Sequence, residues 1–135
     1  MSEKAAKSRG LKPLAKVVAY EEAGVEPVDF GIANTMAVEK MLAKVGVKIG
    51  DVGYHEVNEH FAGTTLANIK LMGLDLDRVN VHGGAIALGH PVGMSGARIL
   101  LSLINVLKQK NSTLGVASIA SGGGTASAML LERLN

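Results

Sequence analysis

The apolar positions of the chain fall into short runs and helical repeats that alternate along its length. Runs rich in valine, alanine and isoleucine predict five strands, at 13–20, 52–57, 78–82, 114–120 and 126–132. The fifth strand is expected to run antiparallel to the fourth. Apolar residues spaced three or four apart predict helices, at 35–45, 60–72 and 94–107, with a short polar helix at 2–9. This alternation favours a layered α/β sheet with right-handed crossovers.

Several residues are expected to define the ends and the buried faces of these helices. Asn34 is a plausible N-cap, and Gly46 and Gly73 follow the last apolar repeats of two helices. Leu66, in the helix that ends before Gly73, is expected to point inward. The helix at 94–107 is apolar nearly all round, so we expect it to be buried on most sides.

Composition narrows the class of protein. The 135 residues suit one domain, and a hydrophobic content of 47% favours a folded chain. The net charge of +2 comes from interspersed acids and bases, so nothing indicates a nucleic-acid partner. The absence of cysteine excludes disulfides, thiolate metal sites and a cysteine nucleophile within this sequence. Four histidines without clustered carboxylates give no indication of a metal site.

Targeting and membrane segments are not indicated either. No apolar run approaches the roughly 20 residues of a membrane-spanning helix. The N-terminal residues are charged and lack the apolar core of a signal peptide. A cytoplasmic location, with no membrane partner, is therefore the default expectation.

The most informative stretch is 80–98, which reads NVHGGAIALGHPVGMSGAR. Glycine at this density lets the backbone approach a ligand closely. Within the stretch, His90 stands between Gly89 and Pro91, and the proline restricts His90 to extended backbone geometry. Because the amides of the following helix N-terminus carry partial positive charge, we expect His90 to stay neutral and able to accept a proton. A purely structural hydrogen bond is the alternative interpretation.

Three segments with polar or glycine-rich character follow three of the predicted strands. Asn58 follows the second strand, residues 83–90 follow the third, and residues 120–124 follow the fourth. Ligand sites of open α/β sheets lie beyond the carboxyl ends of the strands, so we expect these segments to meet at one edge. A neutral histidine, an asparagine amide and glycine N–H groups are donors suited to polarising a carbonyl group.

These segments give the chain a resemblance to the thiolase family. Residues 80–91 resemble the signature of that family's C-terminal half, residues 58–62 (NEHFA) resemble its Asn-Glu-x-Phe block, and residues 120–124 (ASGGG) resemble its Cys-x-Gly-Gly-Gly block. The blocks occur in the family's order. The resemblance implies a C-terminal domain over residues 12–135, preceded at 1–11 by a tail that resembles the last helix of the N-terminal half.

The resemblance also implies a fold and a set of roles. The implied sheet has five strands in the order 3-2-1-4-5, with the last strand antiparallel and helices on both faces. His90 matches the histidine that takes the proton of a cysteine thiol in the N-terminal half. Asn58 matches the asparagine that holds a water in the oxyanion hole, and Gly122 matches a glycine whose N–H helps form a second hole. The implied substrate contacts are Phe61, His60, Gly83 and Gly84.

The implied activity is acyl transfer on acetyl-CoA or 3-ketoacyl-CoA thioesters, by Claisen condensation or thiolytic cleavage, as part of fatty acid metabolism. The coenzyme A thioester is then the substrate, and neither a cofactor nor a metal is implied. The implied protein partner is a thiolase N-terminal half or a second copy of this chain.

Two positions depart from the family pattern. Ala120 stands where the family has a second cysteine, which moves the α-proton of acetyl-CoA, so that position offers no acid or base. His60 stands where alanine is frequent, and its ring is expected either to narrow or polarise the acyl pocket or to point to solvent. Three readings stay open: an enzymatic C-terminal half, a catalytically inactive acyl-CoA-binding or assembly module, and a laboratory replacement of cysteine at position 120.

Overall fold

The computed structural model describes residues 1–134. Its helices, in chain order, are α1 Glu3–Ser8, α2 Ala33–Val45, α3 Ala62–Met72, α4 Ala85–Leu88 and α5 Val92–Gln109. Its strands are β1 Ala15–Gly24, β2 Tyr54–Val57, β3 Leu114–Ala120 and β4 Thr125–Arg133. Short 3₁₀ helices lie at Pro27–Ile32, Ile49–Asp51 and Leu76–Arg78.

The strands form one mixed sheet of four, in the order β1-β4-β3-β2. β2 and β3 are parallel, whereas β4 is antiparallel to both β3 and β1. The antiparallel last strand is confirmed, but the five-stranded sheet of order 3-2-1-4-5 is wrong. The first strand lies at the edge and pairs with the last one, with a register shift between Val17 and Ala19.

The predicted strand at 78–82 does not form. Only Val79 bridges to β2, opposite His55, and Asn80 then turns into the left-handed region with φ of 48°. From there the Asn80 side chain takes the place of a strand. Its Oδ1 accepts from the Val57 N–H at 2.9 Å, and its Nδ2 donates to the Val57 carbonyl at 2.8 Å. A primary amide presents the same donor and acceptor as a peptide unit, so it satisfies the end of β2 without continuing the sheet.

The sheet separates two apolar clusters, which confirms that helices cover both of its faces. Met41 of α2 and Leu130 of β4 belong to the cluster on one face. Leu103 of α5 and Ala117 of β3 belong to the cluster on the other face. All four side chains are buried. Fully burying a leucine or methionine side chain stabilises a fold by about 1.5–3 kcal/mol, so these two layers hold the sheet between them.

The prediction that the helix at 94–107 is buried on most sides is wrong. The face of α5 that meets the sheet is buried, as at Ile99 and Leu107, but Met94 is 44% exposed and Leu101 is 62% exposed. The sheet covers one side of α5, and the side away from the sheet carries apolar side chains into solvent. That outer side is an unpartnered apolar surface.

The start of α2 is capped by a side chain distant in sequence, not by Asn34. The helix begins at Ala33, and Asn34 lies buried in its first turn. The N–H and the hydroxyl of Thr35 both donate to Asn68 Oδ1, at 3.0 and 2.9 Å, while Asn68 Nδ2 donates to the Gly31 carbonyl at 2.6 Å. Asn68 therefore satisfies an orphan donor of the helix N-terminus from outside the helix.

Other helix predictions fare differently. Gly46 and Gly73 end α2 and α3 in the left-handed conformation, as the sequence predicts. Leu66 is 56% exposed, so its inward orientation is wrong. The buried positions of α3 include Asn68 and Ile69, and Leu66 lies on a different face from these.

Replacement of Asn68 by alanine should destabilise the chain. The variant leaves the buried Thr35 hydroxyl and N–H without their acceptor, a loss worth about 1–3 kcal/mol for the unsatisfied groups. Urea denaturation should show this fall in the free energy of unfolding. Asn105→Ala, at an exposed position of α5, is the matched control and should stay within about 0.5 kcal/mol of the wild type. Equal stabilities of the two variants would contradict the capping role.

Candidate active site

The carboxyl ends of β2 and β3 lie side by side because the two strands are parallel and in register, with Val57 opposite Ser118. The Asn58 N–H extends this pairing by donating to the Ser118 carbonyl at 2.9 Å. Val79 forms its single bridge to β2 in the parallel sense. The expectation that the three motif-bearing segments leave the sheet at one edge therefore agrees with the topology.

His90 lies in the short link between α4 and α5. Gly89 has φ of 92° and ψ of 164°, a conformation that suits glycine, and Pro91 begins the turn into α5. The half-buried imidazole contacts Ser95 on one side, with Nδ1 2.6 Å from Ser95 Oγ. On another side its ring meets the ring of His60 edge to face, with 5.1 Å between centroids.

Asn58 is fully buried, and its amide has a defined direction. Arg98 Nη2 donates to Asn58 Oδ1 at 3.1 Å, so the oxygen of the amide faces α5. The Nδ2 group lies 3.5 Å from His60 Nε2. A buried amide donor held in one orientation is the type of group that polarises a carbonyl oxygen or orients a water.

Arg98 owes its position to Glu56, a residue that the sequence patterns did not single out. Arg98 Nη1 lies 3.3 Å from Glu56 Oε2, and Glu56 is buried while Arg98 is partly buried. Glu56 Oε1 has no hydrogen-bond partner within residues 1–134. Burial raises the pKa of Glu56 to about 7, opposed by the charge of Arg98 and reinforced by that of Glu59.

A sequence signal for this pair exists. Arg98 is the only charged residue in the apolar segment 94–107, and Glu56 lies within a predicted strand. A lone charge in a segment expected to be buried calls for a partner of opposite charge.

The Gly83-Gly84 segment closes over Glu59. One carboxylate oxygen of Glu59 accepts from Asn80 Nδ2 at 3.1 Å, and the other accepts from the Ile86 N–H at 2.9 Å. A Cβ at Gly84 would lie 2.1 Å from the carboxyl carbon of Glu59, so any other residue there would push the carboxylate out of this position. The glycine pair therefore lets the Glu59 carboxylate anchor the segment that leads to His90. The substrate contact expected for Gly83 and Gly84 stays a prediction.

His60 is half-buried between two rings. Phe30 meets the His60 ring edge to face with 6.3 Å between centroids, and His90 meets it in the same manner. Burial lowers the pKa of His60, and the neighbouring His90 adds to the effect, while the carbonyls of Ala120 and Asn58 oppose it. His60 thus joins the histidine and asparagine of the site to the end of β3.

The remaining candidate residues differ in their exposure. Ala120 is buried at the last position of β3, and Gly122 lies exposed in the turn that Gly124 closes by donating to the Ser121 carbonyl at 3.0 Å. Phe61 precedes α3 and is 64% exposed. The structure therefore brings Asn58, His60 and His90 together, and it does not bring Phe61 into their cluster.

The described part of the chain, residues 1–134, contains no group of three or more His, Cys, Asp or Glu side chains placed to hold a metal. Within the same residues, none of the helices combines the length and apolar character needed to cross a bilayer.

The α/β domain places a histidine, a fixed amide and glycine-rich turns at one edge of its sheet, and donors of this kind are suited to polarising a carbonyl group. The family model described as "Thiolase, C-terminal domain" matches residues 11–133. The chain belongs to the thiolase family, which confirms the resemblance seen in its sequence.

Individual relatives agree with this assignment. The mitochondrial acetyl-CoA acetyltransferase of Rattus norvegicus is 50% identical over 134 residues, which cover 99% of this chain and 31% of that protein. The acetyl-CoA acetyltransferase of Bacillus anthracis superposes with a TM-score of 0.96 at 46% identity, covering 99% of this chain and 34% of the other. The Acat5 thiolase of Ascaris suum, solved in complex with coenzyme A, gives 0.93 at 48% identity, with 98% and 34% covered.

These comparisons fix two further points. The chain spans about a third of the length of the relatives it matches. The cytoplasmic location expected from the sequence is wrong, because the rat relative is named as a mitochondrial enzyme.

Replacement of Glu56 by glutamine should change how stability depends on pH. The pKa of Glu56 is raised by folding to about 7, from about 4.3 in an unfolded chain. The stabilising effect of the protonated form is therefore present at low pH and is lost as the pH rises through 7. The wild type should lose on the order of 2 kcal/mol more than Glu56→Gln between pH 5 and pH 8.

Denaturant titrations at pH 5, 6, 7 and 8 measure this difference. The lowered pKa values of His55 and His60 affect both proteins alike, so comparing the two slopes isolates Glu56. Parallel stability curves for the two proteins would contradict the assignment.

Proposed function

We propose that this chain is the C-terminal part of a thiolase-type acyltransferase that acts on acetyl-CoA and 3-ketoacyl-CoA thioesters. One observation carries the proposal: the fixed Nδ2 of Asn58 and the ring of His90 both lie against His60, at the carboxyl edge of the sheet. Membership of the thiolase family and the acetyl-CoA acetyltransferase relatives support it.

In this proposal the nucleophile comes from a thiolase N-terminal half. His90 accepts the proton of the cysteine thiol, and the thiolate attacks the thioester carbonyl. Negative charge then develops on the carbonyl oxygen, where His90 and a water held by Asn58 Nδ2 stabilise it. Collapse of this intermediate leaves the acyl group on the cysteine and expels coenzyme A as its thiolate, which takes up the proton that His90 holds. Gly122 is assigned to a second oxyanion hole, and the substrate contacts are assigned to Phe61, His60, Gly83 and Gly84.

The carbon–carbon step needs a further group. Condensation removes a proton from the α-carbon of acetyl-CoA, and Ala120 has no side-chain group that accepts it. This observation favours the second candidate function, a catalytically inactive acyl-CoA-binding or assembly module that keeps the family fold.

Complementation with the N-terminal half of a thiolase tests these roles one by one. Acyl transfer to the cysteine should occur in the mixture, be abolished by His90→Ala, and be weakened less by Asn58→Ala. Ala120→Cys should raise condensation by about 10²–10⁴-fold, the typical effect of a positioned acid or base. Mass spectrometry of the acyl-enzyme and measurement of acetoacetyl-CoA formation give the two readouts.

The 135-residue chain alone is the control and should show no thiolytic cleavage of acetoacetyl-CoA, because it has no cysteine. Equal condensation rates with alanine and with cysteine at position 120 would show that proton transfer resides elsewhere. Acyl transfer that survives His90→Ala would overturn the base assignment.

The exposed side of α5 supports a protein partner, either that N-terminal half or a second copy of this chain. Met94 and Leu101 lie seven residues apart, two turns along the same side of the helix, and both are exposed. Apolar residues repeated on one helix face are usually covered by another element.

Sedimentation velocity should therefore detect association of the chain at high micromolar concentration, and a thiolase N-terminal half should compete for it. Leu101→Ser should weaken association, because it removes the apolar centre of that side. Leu71→Ser, at a similarly exposed leucine of α3, is the matched control and should leave association unchanged. A wild-type chain that stays monomeric and does not bind the N-terminal half would contradict the proposal.

A further inference from the structure

We propose that Ser95 is a positioning residue for His90: it engages Nδ1 and so makes Nε2 the proton-accepting nitrogen. The inference rests on the proposed function for its catalytic meaning, but its geometric content is independent of activity. It starts from one contact, the 2.6 Å distance between His90 Nδ1 and Ser95 Oγ.

Ser95 is a buried, fixed partner. It is 0% exposed and lies in the first turns of α5, where its Oγ is 3.2 Å from the Pro91 carbonyl. A serine side chain in a helix readily donates to the carbonyl four residues before it, which is the arrangement here. Because the Ser95 side chain is closed to solvent, the imidazole nitrogen that it contacts is turned away from substrate.

Counting the available protons then assigns the tautomer of His90. Serine has one hydroxyl proton, and the Pro91 carbonyl can only accept. When that proton lies on the bond to Pro91, Ser95 Oγ acts as the acceptor for His90, and Nδ1 must carry a hydrogen. A neutral imidazole holds one ring proton, so Nε2 keeps its lone pair.

The same arrangement serves the charged form. When Nε2 accepts the thiol proton, the imidazolium donates from both nitrogens, and Nδ1–H already has Ser95 Oγ as its acceptor. No side chain has to turn at the moment of proton transfer, so the base is organised in advance. In metal sites, removal of a group that orients a ligating histidine typically costs about 10–100-fold in affinity or activity, and we expect an effect of that size for the orientation of His90.

Nitrogen-15 NMR of the histidine-labelled chain tests the assignment directly. At a pH where His90 is neutral, the wild type should show a protonated Nδ1 and an unprotonated Nε2, with His90→Gln used to identify the signals. Ser95→Ala should shift the population towards the Nε2–H tautomer. Ser95→Thr, which keeps the hydroxyl, should retain the wild-type pattern, and Ser102→Ala on the same helix is the control.

A wild-type His90 that carries its proton on Nε2, or a tautomer unchanged by Ser95→Ala, would overturn the proposal. If Ser95→Ala fails to fold, the wild-type and Ser95→Thr spectra decide the matter alone. In the complemented mixture, Ser95→Ala should slow acylation about 10–100-fold with little change in KM. If the NMR spectra are as expected but the wild-type mixture shows no acylation, the proposed function is rejected while the orientation of His90 by Ser95 still holds.

Discussion

The ion pair between the buried Glu56 and the partly buried Arg98 joins the sheet to the helix that follows His90, and the geometry of the site depends on it. Removing two charges from water costs several kcal/mol per ion, a cost that good geometry and further hydrogen bonds must offset. Here the further hydrogen bond runs from Arg98 to Asn58, so the guanidinium links the ion pair to the amide that faces the site. Loss of Arg98 would leave the Glu56 carboxylate buried without its counter-charge and would also remove the hydrogen bond to Asn58.

Two residues one turn apart in α5 therefore orient two different functional groups. Ser95 contacts the ring of His90, and Arg98 contacts the amide of Asn58. Positions three apart lie on the same side of a helix, so a single rigid element sets the direction of both groups. The apolar residues of the inner face of α5, buried against β3 and β4, keep that element in place.

The sequence predicted the parts of this structure that depend on local chemistry. Glycines after apolar repeats ended α2 and α3 as expected, because the left-handed conformation favours glycine regardless of tertiary context. The sequence did not predict the strand order, the exposed side of α5 or the cap supplied by Asn68. Each of these depends on which elements meet in space, and apolar periodicity does not encode that.

The residues of the candidate site were likewise only partly predictable from the sequence. Motif spacing brought His90 and Asn58 to one sheet edge, and the topology agrees, since β2 and β3 are parallel. Glu56 lies outside the motifs, because its role arises from contact with Arg98, 42 residues away in the chain. Ser95 is only five residues from His90, but apolar periodicity does not show which ring nitrogen it meets. The lone charge of Arg98 in an apolar helix was the available clue to the network.

The Asn80 amide has a consequence for how this chain behaves in solution. An unpaired outer strand exposes a row of donors and acceptors that can recruit a strand from another molecule. At the end of β2 this side chain already occupies both the N–H and the carbonyl of Val57. The short outer strand therefore offers an incoming chain little to pair with beyond the bridge at His55, and growth of the sheet by edge-to-edge stacking is blocked on that flank.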